Sequence, residues 1–300
     1  VTERRYESPE DFKRALEHRL RNTSSSGEDF ARRRQVLVFE RFLARVAVRF
    51  GDRVVLKGGM VLELRIERAR TTKDVDLALA TARDDILDEL QELGRTDLGD
   101  FMTFEVLADA VHPVLRTDAL QEDGLRFRVV GRLAGKPYGH PFGVDVAIEA
   151  ASFEGTDRLV TPDVLSFADV QPATLRAVSV VTHLAEKLHA FTLPRPRPNS
   201  RVKDVPDIAL LASIGPIDSR RLREALERTF DARRSHLLPA ALPAPPTSWT
   251  LPYATMARDD RLPWTTLDDV ERAAREFLDP VLAGPLAATW SPSTWTWSTR

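Results

Sequence analysis

Three observations on this 300-residue sequence predict an α/β fold, with a mixed sheet in its first half and mostly helices in its second. Short segments at 53–56, 74–79, 101–107, 126–133 and 142–148 read as strands, those at 74–79 and 142–148 with apolar residues on one face. Apolar residues at helical spacing mark 9–22, 28–50 and 83–93, and then 180–192, 204–213, 217–230 and 266–284. A hydrophobic content of 43% is enough for a sizeable core. The order of elements implies a catalytic half over 1–160 and a helical half over 161–300 that completes a cleft.

Each element has a local reason. Asn22-Thr23-Ser24-Ser25-Ser26-Gly27 separates the first two helices. Lys57-Gly58-Gly59 follows the first strand and leads into the helix-like Met60-Val61-Leu62-Glu63-Leu64, so it reads as a tight turn that brings backbone N–H groups together. Fifteen residues after Gly59 comes Asp74-Val75-Asp76-Leu77-Ala78-Leu79. Strand parity puts Val75, Leu77 and Leu79 on one face and Asp74, Asp76 and Ala78 on the other. In Phe142-Gly143-Val144-Asp145-Val146-Ala147-Ile148 the same parity isolates Asp145 from the apolar face. For these acids two readings stand: solvated carboxylates on an exposed face, or ligands of a divalent metal.

Turn, helix and carboxylate strand arrive in the order a phosphate-cradling site needs, and together they point to nucleotidyl transfer. Asp74, Asp76 and Asp145 suit a pair of magnesium ions about 3.5–4 Å apart, which orient an attacking hydroxyl and neutralise charge at phosphorus. Lysine placement agrees with this. Of 43 basic residues only six are lysine, and Lys57, Lys73, Lys187 and Lys203 stand in segments singled out on other grounds. A compact ammonium fits a single phosphate oxygen where a guanidinium fork does not.

The helix over 180–192 carries Val181, Leu184, Leu188 and Phe191 at helical spacing, with Lys187 at the border of that stripe. Lys187 either reaches a cleft or snorkels to water. His183 and His189 read as polar-face or satisfied histidines rather than ligands. A basic, proline-rich loop follows, with Arg195, Arg197, Arg201 and Lys203, and then Asp204-Val205-Pro206-Asp207-Ile208 opens a helix. Asp204 suits the N-cap, yet Asp204 and Asp207 share the side of Ile208 and Leu211, which capping explains less well for Asp207. Leu238 to Pro252 reads as a proline-rich connection. The tail, with Trp290, Trp295 and Trp297, either docks on the helical half, stays disordered or stacks on RNA bases.

Lys57-Gly58-Gly59, Arg70-Thr71-Thr72-Lys73-Asp74-Val75-Asp76, Glu186-Lys187-Leu188-His189-Ala190 and Arg201-Val202-Lys203-Asp204-Val205-Pro206-Asp207 together resemble the AbiEii/MenT-type toxin nucleotidyltransferases, a branch of the DNA polymerase beta-like superfamily. The resemblance spans about residues 50–215. It implies a nucleotidyltransferase-like sheet in which Gly58 and Gly59, with Lys57, bind the triphosphate and Asp74 and Asp76 bind metal. It also implies that Lys187 and Asp207 are needed for activity, with Asp204 as close competitor to Asp207. Many relatives have serine at the second turn position; here it is Gly59, and the hydroxyl role falls to Thr72.

Composition narrows the function classes. No cysteine is present, so there is no disulfide scaffold and no thiol nucleophile, and no apolar run approaches eighteen residues. No leader pattern is seen at Val1-Thr2-Glu3-Arg4-Arg5, which predicts a cytoplasmic protein. A net charge of −2 excludes a uniformly basic nucleic-acid binder, so RNA contact must be a local patch. The expected function is NMP transfer from an NTP to an RNA 3′ end, foremost the tRNA acceptor end, which blocks aminoacylation and growth and implies a cognate antitoxin. The alternatives are the same chemistry on a small hydroxyl compound or a protein side chain, and a non-catalytic module that keeps the fold. The basic loop, with Arg220, Arg221 and Arg223 near in sequence, favours a polyanion.

Overall fold

Side-chain caps begin the helices at places the sequence marks. Ser8 Oγ accepts from the backbone N–H of Asp11, and Pro9 occupies the first turn, where its missing N–H costs nothing. Ser26, Ser179 and Thr266 cap their helices in the same way. The structure, a computed structural model, describes residues 5–66, 72–81, 85–111, 113–117, 120–148, 155–195, 199 and 201–299. Two compact units are distinguished: one of residues 1–60, 72–117 and 121–177, the other of 61–71, 118–120 and 178–300.

The first unit contains helices α1 (Pro9–Thr23) and α2 (Gly27–Phe50), strand β1 (Val54–Lys57), the start of α3 (Gly58–Arg65), β2 (Asp74–Leu79) and α4 (Ile86–Gly94). It continues through β3 (Met102–Ala108), β4 (Val114–Thr117), β5 (Leu120–Leu133), β6 (Lys136–Pro137), β7 (Phe142–Ile148), β8 (Thr156–Val160) and β9 (Thr174–Val178). The sheet runs β3-β5-β7-β2-β1-β9-β8, with β4 and β6 both on β5. It is mixed, as expected: β2 and β7 are parallel, whereas β1 with β2 and β5 with β7 are antiparallel. Beneath it, Asp100 is fully buried and accepts from Arg41 at 2.6 Å and from Arg45 at 2.7 and 2.9 Å, a paired charge that ties α2 to the start of β3.

The second unit is mostly helical: α5 (Val180–Thr192), α6 (Asp204–Ala212), α7 (Ser219–Arg233), α8 (Thr250–Asp259) and α9 (Leu267–Leu282). A small sheet of β10 (Ile217–Asp218), β11 (Ala288–Ser291) and β12 (Thr296–Thr299) completes it. Its core includes Leu184, Leu188, Ile208, Leu222, Phe277 and Trp290. Of the readings open for the tail, docking holds. Trp290 is fully buried and donates to Ala212 O, while Trp295 and Trp297 donate to Ala273 O and Phe277 O on α9. All three indole N–H groups are satisfied inside the unit, and the rings pack edge to face and in parallel on Phe277 and each other.

Every expected helix and strand is present. The differences have local causes. β5 begins six residues earlier than its apolar alternation, because backbone pairing continues through Gln121-Glu122-Asp123-Gly124, where the sequence does not alternate. α8 occupies part of the proline-rich connection: Pro252 falls in its first turn, where proline is tolerated. β8 and β9 are too short and too polar on one face to stand out as a pattern.

Candidate active site

The first cluster is assembled by strand register. Lys57 ends β1 and Gly58 opens α3 with φ +67°, a conformation that costs an L-residue about 1–2 kcal/mol. A Cβ at Gly58 would also collide with Asp76 Oδ2, so the glycine turn lies directly against the second aspartate of β2. Parity on β2 is as expected at five positions, with Val75, Leu77 and Leu79 buried, Asp74 exposed and Asp76 half-buried, while Ala78, on the side of the acids, is buried as well. In the parallel β2–β7 pair Asp76 stands opposite Asp145, and Asp74 opposite Gly143. Asp74 Oδ1 lies 2.5 Å from where a Cβ on Gly143 would stand, so this strand glycine leaves room for the carboxylate of Asp74 as it is placed.

Lys57 pairs in register with Asp76 across β1–β2, and Arg126 pairs with Asp145 across β5–β7. Directly opposed residues share a face. One row across four strands therefore reads Lys57, Asp76, Asp145, Arg126: two acids between two cations. Asp145 faces the expected side, but both its oxygens accept from Arg126, Oδ1 from Nε at 2.7 Å and Oδ2 from Nη2 at 2.6 Å. Those hydrogen bonds hold the Arg126 guanidinium more firmly protonated than usual. Thr72 Oγ1 donates to Asp74 O at 3.2 Å, tying the start of β2; Thr71 lies outside the described residues.

A second cluster belongs to the helical unit. Lys187 Nζ lies 2.6 Å from Asp207 Oδ2 and 3.4 Å from Asp204 Oδ1, so Lys187 turns toward buried carboxylates instead of snorkelling to water. Asp207 is 0% exposed and Asp204 2%, which bears out their place on the apolar side of the helix. Asp204 is not the N-cap that its sequence position suggests. Lys203 takes that position, and Asp204, the first helical residue, pairs with Lys187 and with Arg201 Nε at 3.5 Å. Burial pushes the Asp204 carboxyl up, with the Lys187 and Arg201 charges opposing it.

Neither histidine lies on a polar face. His189 is buried and satisfied, with Nε2 2.8 Å from Ser235 Oγ. His183, one helical turn before Lys187, is buried, and neither ring nitrogen has a hydrogen-bond partner among the described residues. Burial, with the Lys187 charge second, lowers its pKa to about 3, so the ring is neutral. Of the expected basic surface, Arg201 and Lys203 are exposed, and Arg195 is half-buried and donates to Ala190 O. Arg197 lies outside the described residues. Arg223 is committed to Glu227 and to the Val281 and Leu282 carbonyls at the end of α9, while Arg220 and Arg221 are exposed.

The sequence matches the family described as nucleotidyl transferase AbiEii toxin, type IV toxin–antitoxin system, over residues 41–290. The chain belongs to this family. MenT4, a nucleotidyltransferase toxin from Mycobacterium tuberculosis H37Rv, is similar in structure with a TM-score of 0.59 at 17% identity, covering 94% of this chain and 92% of that one. JHP933 from Helicobacter pylori is similar with a TM-score of 0.41 at 13% identity, over 87% and 90% of the two chains. No curated protein matches the sequence. Membership of the AbiEii family makes the chain a toxin-type nucleotidyltransferase, hence an enzyme, and implies an antitoxin.

Nucleotidyltransferases of this kind use an NTP and usually a divalent metal. Among the described residues no three His, Cys, Asp or Glu side chains gather closely enough to hold an ion, and Asp145 is turned to Arg126. The donor set nevertheless fits magnesium: Asp74 and Asp76 offer hard carboxylate oxygens from one strand face, and this ion needs only one or two such ligands beside water and phosphate. A pocket lined by Leu43, Val46, Leu56, Leu77 and Arg176 opens on the opposite, apolar face of the sheet and is not at these acids. Among the described residues no helix is long and apolar enough to cross a membrane.

Sequence reasoning alone does not single out Arg126 or Gly143. Gly143 carries a signal, a glycine inside a strand. Arg126 carries none, because one arginine among many acquires meaning only when register sets it opposite Asp145. Gly58→Ala tests the turn. Turnover should fall about 10²-fold, because Asp76 must move on the order of 1 Å, whereas stability should fall by only about 1–2 kcal/mol. A nucleotide-transfer assay beside a thermal melt checks this, and unchanged turnover would place the turn outside the site.

Proposed function

We propose that this protein transfers NMP from an NTP to the 3′-hydroxyl of RNA, with the tRNA acceptor end as the foremost substrate, and arrests growth by blocking aminoacylation. The observation that carries the reading is the charged row of β1, β2, β7 and β5, with the glycine turn pressed on Asp76. In this reading the N–H groups of Gly58 and Gly59 receive the triphosphate, with Lys57 beside them. Asp74 and Asp76 hold magnesium, and Asp145 is the acid on the nucleophile side, completing a two-ion site. Magnesium, when bound, neutralises charge on the α-phosphate and eases deprotonation of the attacking hydroxyl.

Lys187 places an ammonium for the triphosphate, and Asp207 fixes its direction through their 2.6 Å ion pair. Asp204 is the weaker partner at 3.4 Å, and Thr72 orders the strand that carries the acids. The protein acts in the cytoplasm, where an antitoxin restrains it.

The loop at Arg195, Arg197, Arg201 and Lys203 is proposed to grip the RNA backbone without reading its sequence. Arg201 faces the buried Asp204, which the test leaves undisturbed by changing Arg197 and Lys203 instead. The Arg197→Ala/Lys203→Ala protein should bind RNA more weakly, with a salt slope smaller by about 0.7 for each phosphate no longer neutralised, and should bind NTP as before. An unchanged salt slope would remove the loop from the RNA surface. The deciding experiment incubates the protein with each α-labelled NTP, magnesium and total RNA. Label on a tRNA 3′ end supports the reading. Label on protein or on a small hydroxyl compound, with no RNA labelled, replaces it by the same chemistry on that acceptor.

A further inference from the structure

We propose that Arg126 is a positioning residue that clamps Asp145 in the nucleotide-free protein, standing in for the cation that this carboxylate later accepts. The inference rests on the metal-dependent reading above and deepens it at one acid. Asp76 and Asp145 are neighbours on parallel strands, and two carboxylates so placed repel each other unless cations compensate them. Lys57 and Arg126, at the two ends of the same row, supply that compensation.

The two ends are not equivalent. Arg126 engages both oxygens of Asp145 through Nε and Nη2, a bidentate geometry that a lysine cannot form. Asp145 is thus held at both oxygens, and although each keeps a second lone pair, an arriving ion competes with the fork for the same negative charge and binds best once the fork lets go. The Arg126 side chain is 35% exposed and Asp145 18%, so release requires rotation of one solvent-reached side chain and no opening of the sheet. Once released, the guanidinium needs another anion, and a triphosphate arriving at the same face provides one. Asp145 therefore exchanges its partner when nucleotide enters, and the nucleotide-free protein binds divalent cations weakly at this acid.

Manganese is the probe, measured by electron paramagnetic resonance titration of the full chain without nucleotide. Arg126→Gln is expected to bind Mn²⁺ about tenfold more tightly than the parent, the factor set by removing one charge-assisted pair from the competition. Arg126→Lys should fall between the two, since it keeps the charge and loses the fork. A purely structural role predicts the opposite sign, weaker binding with a lower melting point. Unchanged or weaker Mn²⁺ binding by a folded Arg126→Gln protein overturns the clamp. If that variant does not fold, Arg126→Lys carries the comparison with the same two outcomes. Asp76→Asn separates the failures. When it weakens Mn²⁺ binding but the Arg126 variants do not strengthen it, only the clamp falls; when it leaves binding untouched, the metal reading of this face falls, and the clamp with it.

Discussion

Asp74→Asn and Asp76→Asn proteins are expected to lose nucleotide transfer by about 10³-fold or more while remaining folded. The change removes a charge and hardly any volume, and neither side chain belongs to the buried core: Asp74 is exposed and Asp76 half-buried. Asp76→Asn also removes a like-charged neighbour of Asp145, at the cost of the Lys57 partner across β1–β2, so its melting point should stay close to the parent's. Labelled-nucleotide transfer and a thermal melt on the same preparations check both halves of the expectation. Growth arrest on expression should require both aspartates. Full activity in a well-folded Asp74→Asn protein would sink the assignment of this strand to the reaction.

The second large effect is expected at the Lys187–Asp207 pair. Asp207→Ala takes the nearer carboxylate from a nearly buried ammonium and leaves it the more distant Asp204 at 3.4 Å. Breaking a buried pair from one side costs about 3–5 kcal/mol, and the remaining aspartate holds this case near the low end. Asp204→Ala should cost less in stability and in activity, because Asp204 is the more distant partner and burial already raises its carboxyl. Lys187→Arg keeps the charge but replaces the compact ammonium 2.6 Å from Asp207 by a planar fork that misplaces it, so turnover should fall about 10²-fold. Chemical denaturation ranks the stabilities and single-turnover transfer ranks the activities. Near-normal turnover by Lys187→Arg would reduce Lys187 to a general electrostatic contributor.

The elements that carry these residues are legible in the sequence because each is a local matter. β2 and β7 alternate around their aspartates, so the faces of Asp74, Asp76 and Asp145 follow from parity without knowledge of any neighbour, although Ala78 on the acid face of β2 is buried. The helices α5 and α6 follow from apolar spacing, and the same spacing sets Asp204 and Asp207 on the wrong side for solvated acids. Lys187 stands at the border of its stripe, where local periodicity allows either direction. Packing chose the buried carboxylates, and Lys203, not Asp204, came to occupy the cap.

What the sequence determined by itself is therefore the set of elements, the face on which each acid lies, and the order of motifs that marks the family. Tertiary structure alone decided which strands are neighbours, and with that the row of Lys57, Asp76, Asp145 and Arg126. It also decided that Gly58, at positive φ, lies where Asp76 fills the space of a side chain, and that a side chain at Gly143 would displace the exposed carboxylate of Asp74. The physical reason is that strand pairing joins segments far apart in the chain and is encoded in no local periodicity: Arg126 meets Asp145 only after β5 and β7 have taken their register.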